Sequence, residues 1–197
     1  MKKKIAITGG IGSGKTTVMR YLENKGYPVF SCDEIYKQII HTDEYVKEIS
    51  KEFPLVVKDG QVERRALAAL VFSDSEKRRR LNEISHPLIM KELLKQMEES
   101  ESSLVFAEVP LLFEGGFEDL FDERIVLLRK RENRMQSVAA RDNLSKGEIE
   151  ARIEAQFSYD TETGKAYLQK IGAYVLTNDS TVEDLNEKIE NILSQIK

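Results

Sequence analysis

The chain lacks any apolar run long enough to cross a membrane. No stretch approaches the ~20 consecutive apolar residues that a membrane-spanning helix requires. The basic start, Met1–Lys4, leads into a short apolar run instead of the longer segment and cleavage site of a signal peptide. We therefore expect no signal peptide and no membrane partner.

Cysteine and surplus positive charge are scarce as well. Cys32 is the single cysteine among 197 residues, and the formal net charge is -4. One cysteine excludes an internal disulfide and suits a reducing cytoplasm. We expect an inert thiol, with a reactive thiol beside Asp33 as the alternative. The net charge argues against a nucleic-acid partner that depends on a strongly basic surface.

Internal repeats, low-complexity tracts and linker-like segments are also missing. Charged residues make up 32% and hydrophobic residues 41% of the chain, which indicates a folded globular protein rather than a disordered one. A length of 197 residues suffices for one sizeable core with small inserted subdomains. We predict a single domain over residues 1–197, present as a monomer or a small homo-oligomer.

The most specific motif present lies at residues 9–16, which read G-G-I-G-S-G-K-T and fit the G-x-x-x-x-G-K-[ST] pattern of a phosphate-binding loop. The run Ile5–Ile7 before it predicts a buried strand, and residues 17–23 after it predict a helix. Glycines let backbone N–H groups turn inward around an anion, and the helix N-terminus adds donors and a positive dipole end. The loop predicts nucleoside triphosphate binding; a chance match is the alternative.

Individual roles follow from the motif. Lys15 is expected to reach the β- and γ-phosphates, and the Thr16 hydroxyl is expected to ligate Mg²⁺. The residues of this loop that we predict to bind the nucleotide are Gly10, Gly12, Ser13, Gly14, Lys15, Thr16 and Thr17.

Five short apolar runs alternate with helical patterns, at residues 4–8, 28–30, 104–107, 124–128 and 173–176. This alternation predicts an α/β fold in which helices cover both faces of a five-stranded parallel sheet, a three-layer α/β/α arrangement. Ligands of such folds bind beyond the carboxyl ends of the strands. The residues that close these runs are therefore candidate site residues: Thr8, Asp33, Glu108, Arg129 and Asn178.

Two gaps between the runs are longer than a crossover helix needs. We predict a core at about 1–40, 104–129 and 171–197, a helical insertion for a second substrate at about 41–103, and a mobile lid at about 130–170.

Three local patterns indicate helix starts, one in the insertion, one in the predicted lid and one before the last helix. In the insertion, Pro87 suits a first helical position, which makes His86 either a cap or a substrate ligand. In the predicted lid, Ser145 and Glu148 have the spacing of a capping box, and Ser180 is a candidate start for the last helix.

Charged residues near the strand ends have both functional and structural interpretations. Asp33 either orients an acceptor hydroxyl and takes its proton or caps the helix that follows. Glu108 either supports magnesium through water or is a solvated carboxylate. Arg131, Arg134 and Arg141 share a helical face that either covers the triphosphate or forms a salt-bridged surface.

Together the motifs resemble the dephospho-coenzyme A kinases, in order along most of the chain. The matching segments are residues 7–17, Asp33, Ile84–Pro87, Pro110–Glu114, Arg141–Asp142, Arg152–Ile153 and Gln156. The resemblance implies transfer of the ATP γ-phosphoryl group to the ribose 3′-hydroxyl of dephospho-coenzyme A.

The resemblance also implies residue roles. Asp33 becomes the base, Arg141 the lid arginine on the phosphoryl group, and Asn178 a neighbour of the adenine. Thr8 and the His86–Pro87 pair gain roles at the site.

The chain departs from the family pattern at two positions. Ser31 stands where the family commonly has the first aspartate of Asp-Ala-Asp, and Glu108 stands where it commonly has aspartate.

Two other functions share parts of this pattern. A nucleoside monophosphate kinase has the same loop, insertion and lid. A nucleotide-gated switch of the guanine type usually carries Asn-Lys-x-Asp after a late strand, whereas residues 177–180 read Thr-Asn-Asp-Ser.

Overall fold

The computed structural model describes residues 1–72, 74–142 and 144–196. The predicted insertion, lid and C-terminal core ranges each contain one residue outside this part. In chain order the elements are β1 (Lys3–Gly9), α1 (Lys15–Asn24), β2 (Val29–Ser31), α2 (Cys32–Ile39), α3 (Asp43–Glu52), β3 (Val57–Lys58), β4 (Gln61–Val62), α4 (Arg64–Phe72), α5 (Ser75–Glu99), β5 (Leu104–Glu108), β6 (Glu123–Leu128), α6 (Arg131–Asp142), α7 (Lys146–Glu154), α8 (Glu162–Lys170), β7 (Tyr174–Thr177) and α9 (Val182–Ile196).

The prediction of a five-stranded parallel sheet is confirmed. The strand order is β2-β5-β1-β6-β7, so β1 lies in the centre. It pairs in parallel with β5, where Ile7 faces Glu108, and with β6, where Ile7 faces Ile125. All five apolar runs that predicted strands form strands of this sheet. The end of β1, where the phosphate loop begins, thus lies between the ends of β5 and β6.

Side chains of β6 alternate between two apolar layers. Ile125 and Leu127 pack with the core that α1 and α9 complete, whereas Val126 packs with Tyr159 and Leu168 on the other side. Successive residues of a strand point to opposite faces, so this strand is buried on both. That is why residues 125–128 of this strand are an unbroken apolar run rather than an alternating one.

The chain divides into two compact units, Met1–Val29 with Ser100–Lys197, and Phe30–Glu99. The second unit is wider at its N-terminal side than the predicted insertion, because it includes α2. It holds a small β3–β4 hairpin whose turn, Asp59–Gly60, has positive φ at both residues, as the Asp-Gly sequence favours. A single domain over 1–197, with its core, insertion and lid, stays a prediction.

The placement of Pro87 at a helix start is wrong. Pro87 lies inside α5, where it removes one backbone donor, and the helix continues through it to Glu99. His86 is therefore not a cap. Ser85 in the same turn is buried, and its hydroxyl lies 3.0 Å from that of Tyr45, which ties α5 to α3.

No helix in the described part of the chain is long and apolar enough to cross a membrane.

Of the two helix starts predicted from capping patterns, the start of α7 is confirmed and the start of α9 is shifted by one residue. Ser145 and Glu148 form the predicted capping box at the start of α7. At α9, however, the hydroxyl that accepts the Asp184 N–H, at 3.2 Å, belongs to Thr181 and not to Ser180. The two neighbours have similar side chains, and only Thr181 is positioned one residue before the helix.

We predict that Thr181→Ala lowers the free energy of unfolding by about 1 kcal/mol, the usual cost of losing an N-cap. Ser180→Ala, the matched control, is expected to change it by less than about 0.5 kcal/mol. Urea unfolding followed by circular dichroism measures both. Equal losses in the two variants would contradict the assignment of the cap to Thr181.

Candidate active site

The phosphate loop connects β1 to α1 and leaves the start of α1 without a side-chain cap. Gly14 is the N-cap residue, with φ 102°, and α1 has no acidic residue in its first turn. By contrast, α2, α3, α7 and α8 each begin with a serine or threonine hydroxyl that accepts a backbone N–H. The uncapped donors and the positive dipole end of α1 therefore favour an anionic ligand.

Two side chains of the loop are suited to phosphate. The Lys15 ammonium donates to the carbonyl oxygens of Gly9, at 2.8 Å, and Gly10, at 3.4 Å, so it lies across the loop. The Ser13 hydroxyl is buried and has no hydrogen-bond partner in the described part of the chain. A phosphate oxygen would give this hydroxyl an acceptor.

Three consecutive carbonyl groups of the loop each accept a hydrogen bond from a side chain far along the chain. Arg134 Nε donates to Ile11 at 3.0 Å, Arg129 Nη1 to Gly12 at 3.2 Å, and Asn178 Nδ2 to Ser13 at 2.9 Å. We call these donors, Arg129, Arg134 and Asn178, the carbonyl anchors.

The carbonyl anchors fix the direction of the loop amides. In a planar trans peptide, the C=O and the following N–H point in opposite directions. Holding the Ile11 and Ser13 carbonyls on one side therefore turns the N–H groups of Gly12 and Gly14 to the other. At Gly14 a Cβ atom would lie 2.2 Å from Asn178 Nδ2, so the anchor requires glycine there.

Of the three arginines expected on one helical face of α6, Arg134 does not fit the alternative of a solvated, salt-bridged surface. Its side chain is 5% exposed and lies against Gly10, with Asp160 3.5 Å away. Burial lowers the pKa of Arg134, and the Asp160 carboxylate opposes that shift. Arg131 pairs instead with Glu154 on the surface.

Residues after α7 support the inner side of the loop. Gln156 Oε1 accepts the Ile11 N–H at 2.7 Å, so Ile11 is held at both its N–H and its carbonyl. Thr8 is fully buried, and its hydroxyl lies 3.4 Å from that of Tyr159. Burial raises the pKa of Tyr159, and either of the two hydroxyls can donate in this contact.

Carboxylates and arginines meet beyond the end of β5. Glu108 is the last residue of that strand, and its charge raises the pKa of Arg141 together with the larger contribution of a hydrogen bond to Asp142. Arg141 binds the Asp142 carboxylate with Nε at 2.6 Å and Nη2 at 2.7 Å. A guanidinium has five N–H donors, so three remain for another ligand.

In the Phe30–Glu99 unit, Asp33 does not cap a helix. The cap of α2 is Ser31, whose hydroxyl accepts the Asp33 N–H at 3.3 Å. The Asp33 side chain is exposed and makes no hydrogen bond or ion pair to any residue that the structure describes. The structural alternative for this carboxylate is thus removed.

His86 lies on α5 in the same unit and is partly buried, and burial lowers its pKa.

Sequence reasoning pointed to the loop and the strand ends, and the family resemblance pointed to the Arg141–Asp142 segment, but neither indicated the contacts of Tyr159 or of the carbonyl anchors. Arg129 was noted only as a residue that follows a strand, and Asn178 for that position and, through the family resemblance, as a neighbour of the adenine. Their position at the ends of β6 and β7, beside the loop, is the one signal that points to them.

The fold and this site define the class. The central parallel strand leads through an uncapped glycine loop into a helix, and Arg134 of a charged helix contacts the loop. This is the arrangement of a P-loop kinase. The family model of the dephospho-CoA kinases matches residues 3–196.

Relatives agree with the family match. A dephospho-CoA kinase of Thermus thermophilus is 36% identical over 98% of this chain and 91% of its own length. A solved structure from Thermus thermophilus has a TM-score of 0.80 at 36% identity and covers 100% of this chain and 98% of that one. A dephospho-CoA kinase from Campylobacter jejuni shares the fold, with a TM-score of 0.64 at 24% identity over 100% and 98% of the two chains.

The chain belongs to the dephospho-CoA kinase family, and its activity is that of an ATP-dependent kinase for dephospho-CoA. This assignment replaces the nucleoside monophosphate kinase and nucleotide-switch alternatives.

The carbonyl anchors generate a prediction about ATP. Arg129 Nη1 also donates to Ser137 Oγ, at 2.7 Å. We expect Arg129→Met to raise the KM for ATP roughly tenfold or more, because one charge-assisted hydrogen bond to the loop is lost. The KM for dephospho-CoA should stay near the wild-type value.

Ser137→Ala is the matched control, because it removes only the second contact of the same guanidinium and should leave the ATP KM within about twofold. Steady-state kinetics with each substrate varied in turn measures both constants. An unchanged ATP KM in Arg129→Met would show that the loop needs no such anchor.

The pKa of His86 generates a pH prediction. Because burial lowers this pKa in the folded state, the unfolded chain binds a proton more readily. The stability that neutral His86 contributes is complete above the unfolded pKa of about 6.5 and is lost as pH falls toward the folded value. Between pH 7.5 and 5, wild type should therefore lose more unfolding free energy than His86→Gln. Urea titrations at each pH measure the unfolding free energy. Equal losses in wild type and His86→Gln over this pH range would contradict the prediction.

Proposed function

We propose that the carboxylate of Asp33 orients the ribose 3′-hydroxyl of dephospho-CoA while the phosphate loop holds ATP. In the transfer, the bond from the γ-phosphorus to its bridging oxygen breaks and a bond to the 3′-oxygen forms. The hydroxyl proton passes to Asp33 late in the reaction and then to solvent. The observation that carries this proposal is the exposed carboxylate of Asp33, which does not serve as a helix cap.

Lys15 and the loop amides are proposed to bind the triphosphate. The Lys15 ammonium now donates to two loop carbonyls, and phosphate oxygens are stronger acceptors for a cation than neutral carbonyls. We therefore propose that Lys15 changes partners when ATP binds. Residues Gly10, Gly12, Ser13, Gly14, Thr16 and Thr17 complete this nucleotide site.

We propose that Mg²⁺ accompanies ATP, held by the Thr16 hydroxyl and, through water, by Glu108. The described residues contain no group of three acidic, histidine or cysteine side chains that could hold a metal ion. Mg²⁺ bound with a nucleotide takes most of its ligands from phosphates and water, so one hydroxyl and one water-bridged carboxylate would complete its shell. When bound, the ion neutralises phosphate charge.

Arg141 is proposed to contact the transferring phosphoryl group. Its position near Glu108 and its three N–H groups that Asp142 does not engage support this role. Positive charge placed there would stabilise the charge that develops on the phosphoryl oxygens. Residues 130–170, on which Arg141 lies, are proposed to act as the lid.

The remaining proposed site residues have supporting roles. Asn178 uses Nδ2 for Ser13 and keeps Oδ1 as an acceptor, which suits the amino group of adenine. Thr8 is proposed as a positioning residue below the loop. His86 and Pro87 are proposed to line the acceptor site.

We also propose the cytoplasm as the compartment, supported by the single cysteine, and a monomer or small homo-oligomer as the working form.

Asp33→Asn tests the proposal. It keeps the shape of the side chain but removes the proton acceptor, so we expect kcat to fall by roughly 10² or more. ATP affinity should be unchanged, because the loop is untouched. Rates come from a coupled ADP-release assay with dephospho-CoA, and ATP affinity from calorimetric titration.

Ser31→Ala is the control for damage to α2. This variant removes the N-cap of α2, the helix whose first turn contains Asp33. It should lower the free energy of unfolding while leaving kcat within a few-fold of wild type. Wild-type kcat in Asp33→Asn would reject Asp33 as the base.

A further inference from the structure

Arg134 is the only charged residue among those that are buried in the part of the chain that the structure describes. A guanidinium stays ionised in proteins even when it is buried. Removing an ionised group from water costs free energy unless an opposite charge lies close by. The buried position of Arg134 therefore calls for an anion near its guanidinium.

The protein itself offers this charge little compensation. Over the described ranges, the one carboxylate that pairs with Arg134 is Asp160, whose oxygen lies 3.5 Å from Nη1 and whose side chain is 61% exposed. Water weakens the attraction of so exposed a carboxylate. The like charge of Arg131 also disfavours the ionised form of Arg134. Asp160 therefore offsets only part of the cost of burying the charge.

The anchoring of the loop does not explain why residue 134 is charged. Arg134 Nε donates to the Ile11 carbonyl at 3.0 Å, and the neutral amide of Asn178 holds the Ser13 carbonyl in the same way at 2.9 Å. The amide nitrogen of a glutamine is separated from the backbone by as many bonds as the Nε of an arginine. A neutral glutamine could thus make the bond to Ile11 with no charge to bury.

The location of the guanidinium indicates what the charge is for. It fills the space beside Gly10 of the phosphate loop, where a Cβ atom would lie 2.6 Å from Arg134 Cζ. Because carbonyl and amide groups of a peptide point in opposite directions, phosphates bound by the loop amides would lie on the other face of the same backbone. A charge that is shielded from water acts over such a distance with little screening. The net charge of the whole chain, -4, would by itself repel a nucleotide.

We propose that the buried positive charge of Arg134 strengthens triphosphate binding through the loop backbone, without touching a phosphate, and that Asp160 limits this effect. Arg134 is then a positioning residue by its hydrogen bond to Ile11 and an electrostatic contributor by its charge. The inference rests on the proposed function, in which the loop holds ATP.

Calorimetric titration of the full-length Arg134→Gln variant tests the role of the charge, because glutamine keeps a donor for Ile11. With excess Mg²⁺, we expect ATP affinity to fall roughly tenfold and ADP affinity only about threefold, since the effect grows with the charge of the ligand. The decrease of ATP affinity between about 50 and 300 mM KCl should be smaller than in wild type. The kcat at saturating ATP should stay within about threefold, because the charge acts on ground state and transition state alike.

Asp160→Asn tests the same idea with the opposite sign. Loss of the opposing carboxylate should tighten ATP binding about threefold, whereas damage to the loop would weaken it. Glu187→Gln is the matched control, because it removes the same charge from an exposed position of α9, and it should leave ATP affinity unchanged. Should Arg134→Gln fail to fold by circular dichroism, the sign of the change in Asp160→Asn decides.

Equal losses of ATP and ADP affinity in Arg134→Gln, with an unaltered salt dependence, would overturn the proposal, because that pattern reports a structural role. Unchanged or weaker ATP binding in Asp160→Asn would overturn it as well. Failure of the proposed function would appear elsewhere, as undiminished turnover in Asp33→Asn or as wild-type ATP affinity in Lys15→Ala.

Discussion

The outward anchoring of three loop carbonyls is the interaction on which the nucleotide site depends. A glycine-rich loop has many conformations, and the entropy of fixing them opposes any single one. Arg129, Arg134 and Asn178 select one conformation by hydrogen bonds to Ile11, Gly12 and Ser13. The donors follow β6 and β7 or lie on α6, so the loop takes its shape only when those strands have joined the sheet. The phosphate site therefore depends on tertiary contacts, although its sequence motif spans only residues 9–16.

The same contacts distinguish two parts of the predicted lid, one buried against the loop and one exposed. Arg134 is almost fully buried against the loop, whereas Arg141 is exposed. Seven residues of helix separate them, about 10 Å along α6. Gln156 holds the loop from the far end of the lid segment. The lid motion that we propose must therefore leave both attachments in place, and the part proposed to approach a ligand is the end near Arg141.

Patterns that depend on neighbours in sequence predicted the structure well. The five strands could be predicted because strands buried on both faces have runs of apolar residues. The Ser145–Glu148 capping box could be predicted because both partners lie within one helical turn. Errors arose where a distant partner decides. The spacing of Arg134 from the other arginines of α6 is typical of an exposed helix face. Its side chain is nevertheless buried against the loop, where it donates to a carbonyl 123 residues away. Pro87 has the local preference of a helix start, yet α5 continues through it, because packing of a long helix outweighs one lost hydrogen bond.

The departure at residue 31 has a physical explanation in the structure. Where the family commonly has aspartate, Ser31 accepts the Asp33 N–H and begins α2. Serine and aspartate are nearly equal as N-caps, so the exchange conserves the helix start and the placement of the following turn. In this structure the side chain at position 31 caps α2, and that role does not depend on a negative charge. The carboxylate that we propose to orient the acceptor hydroxyl is the one that remains, at Asp33, which does not serve as the cap of α2.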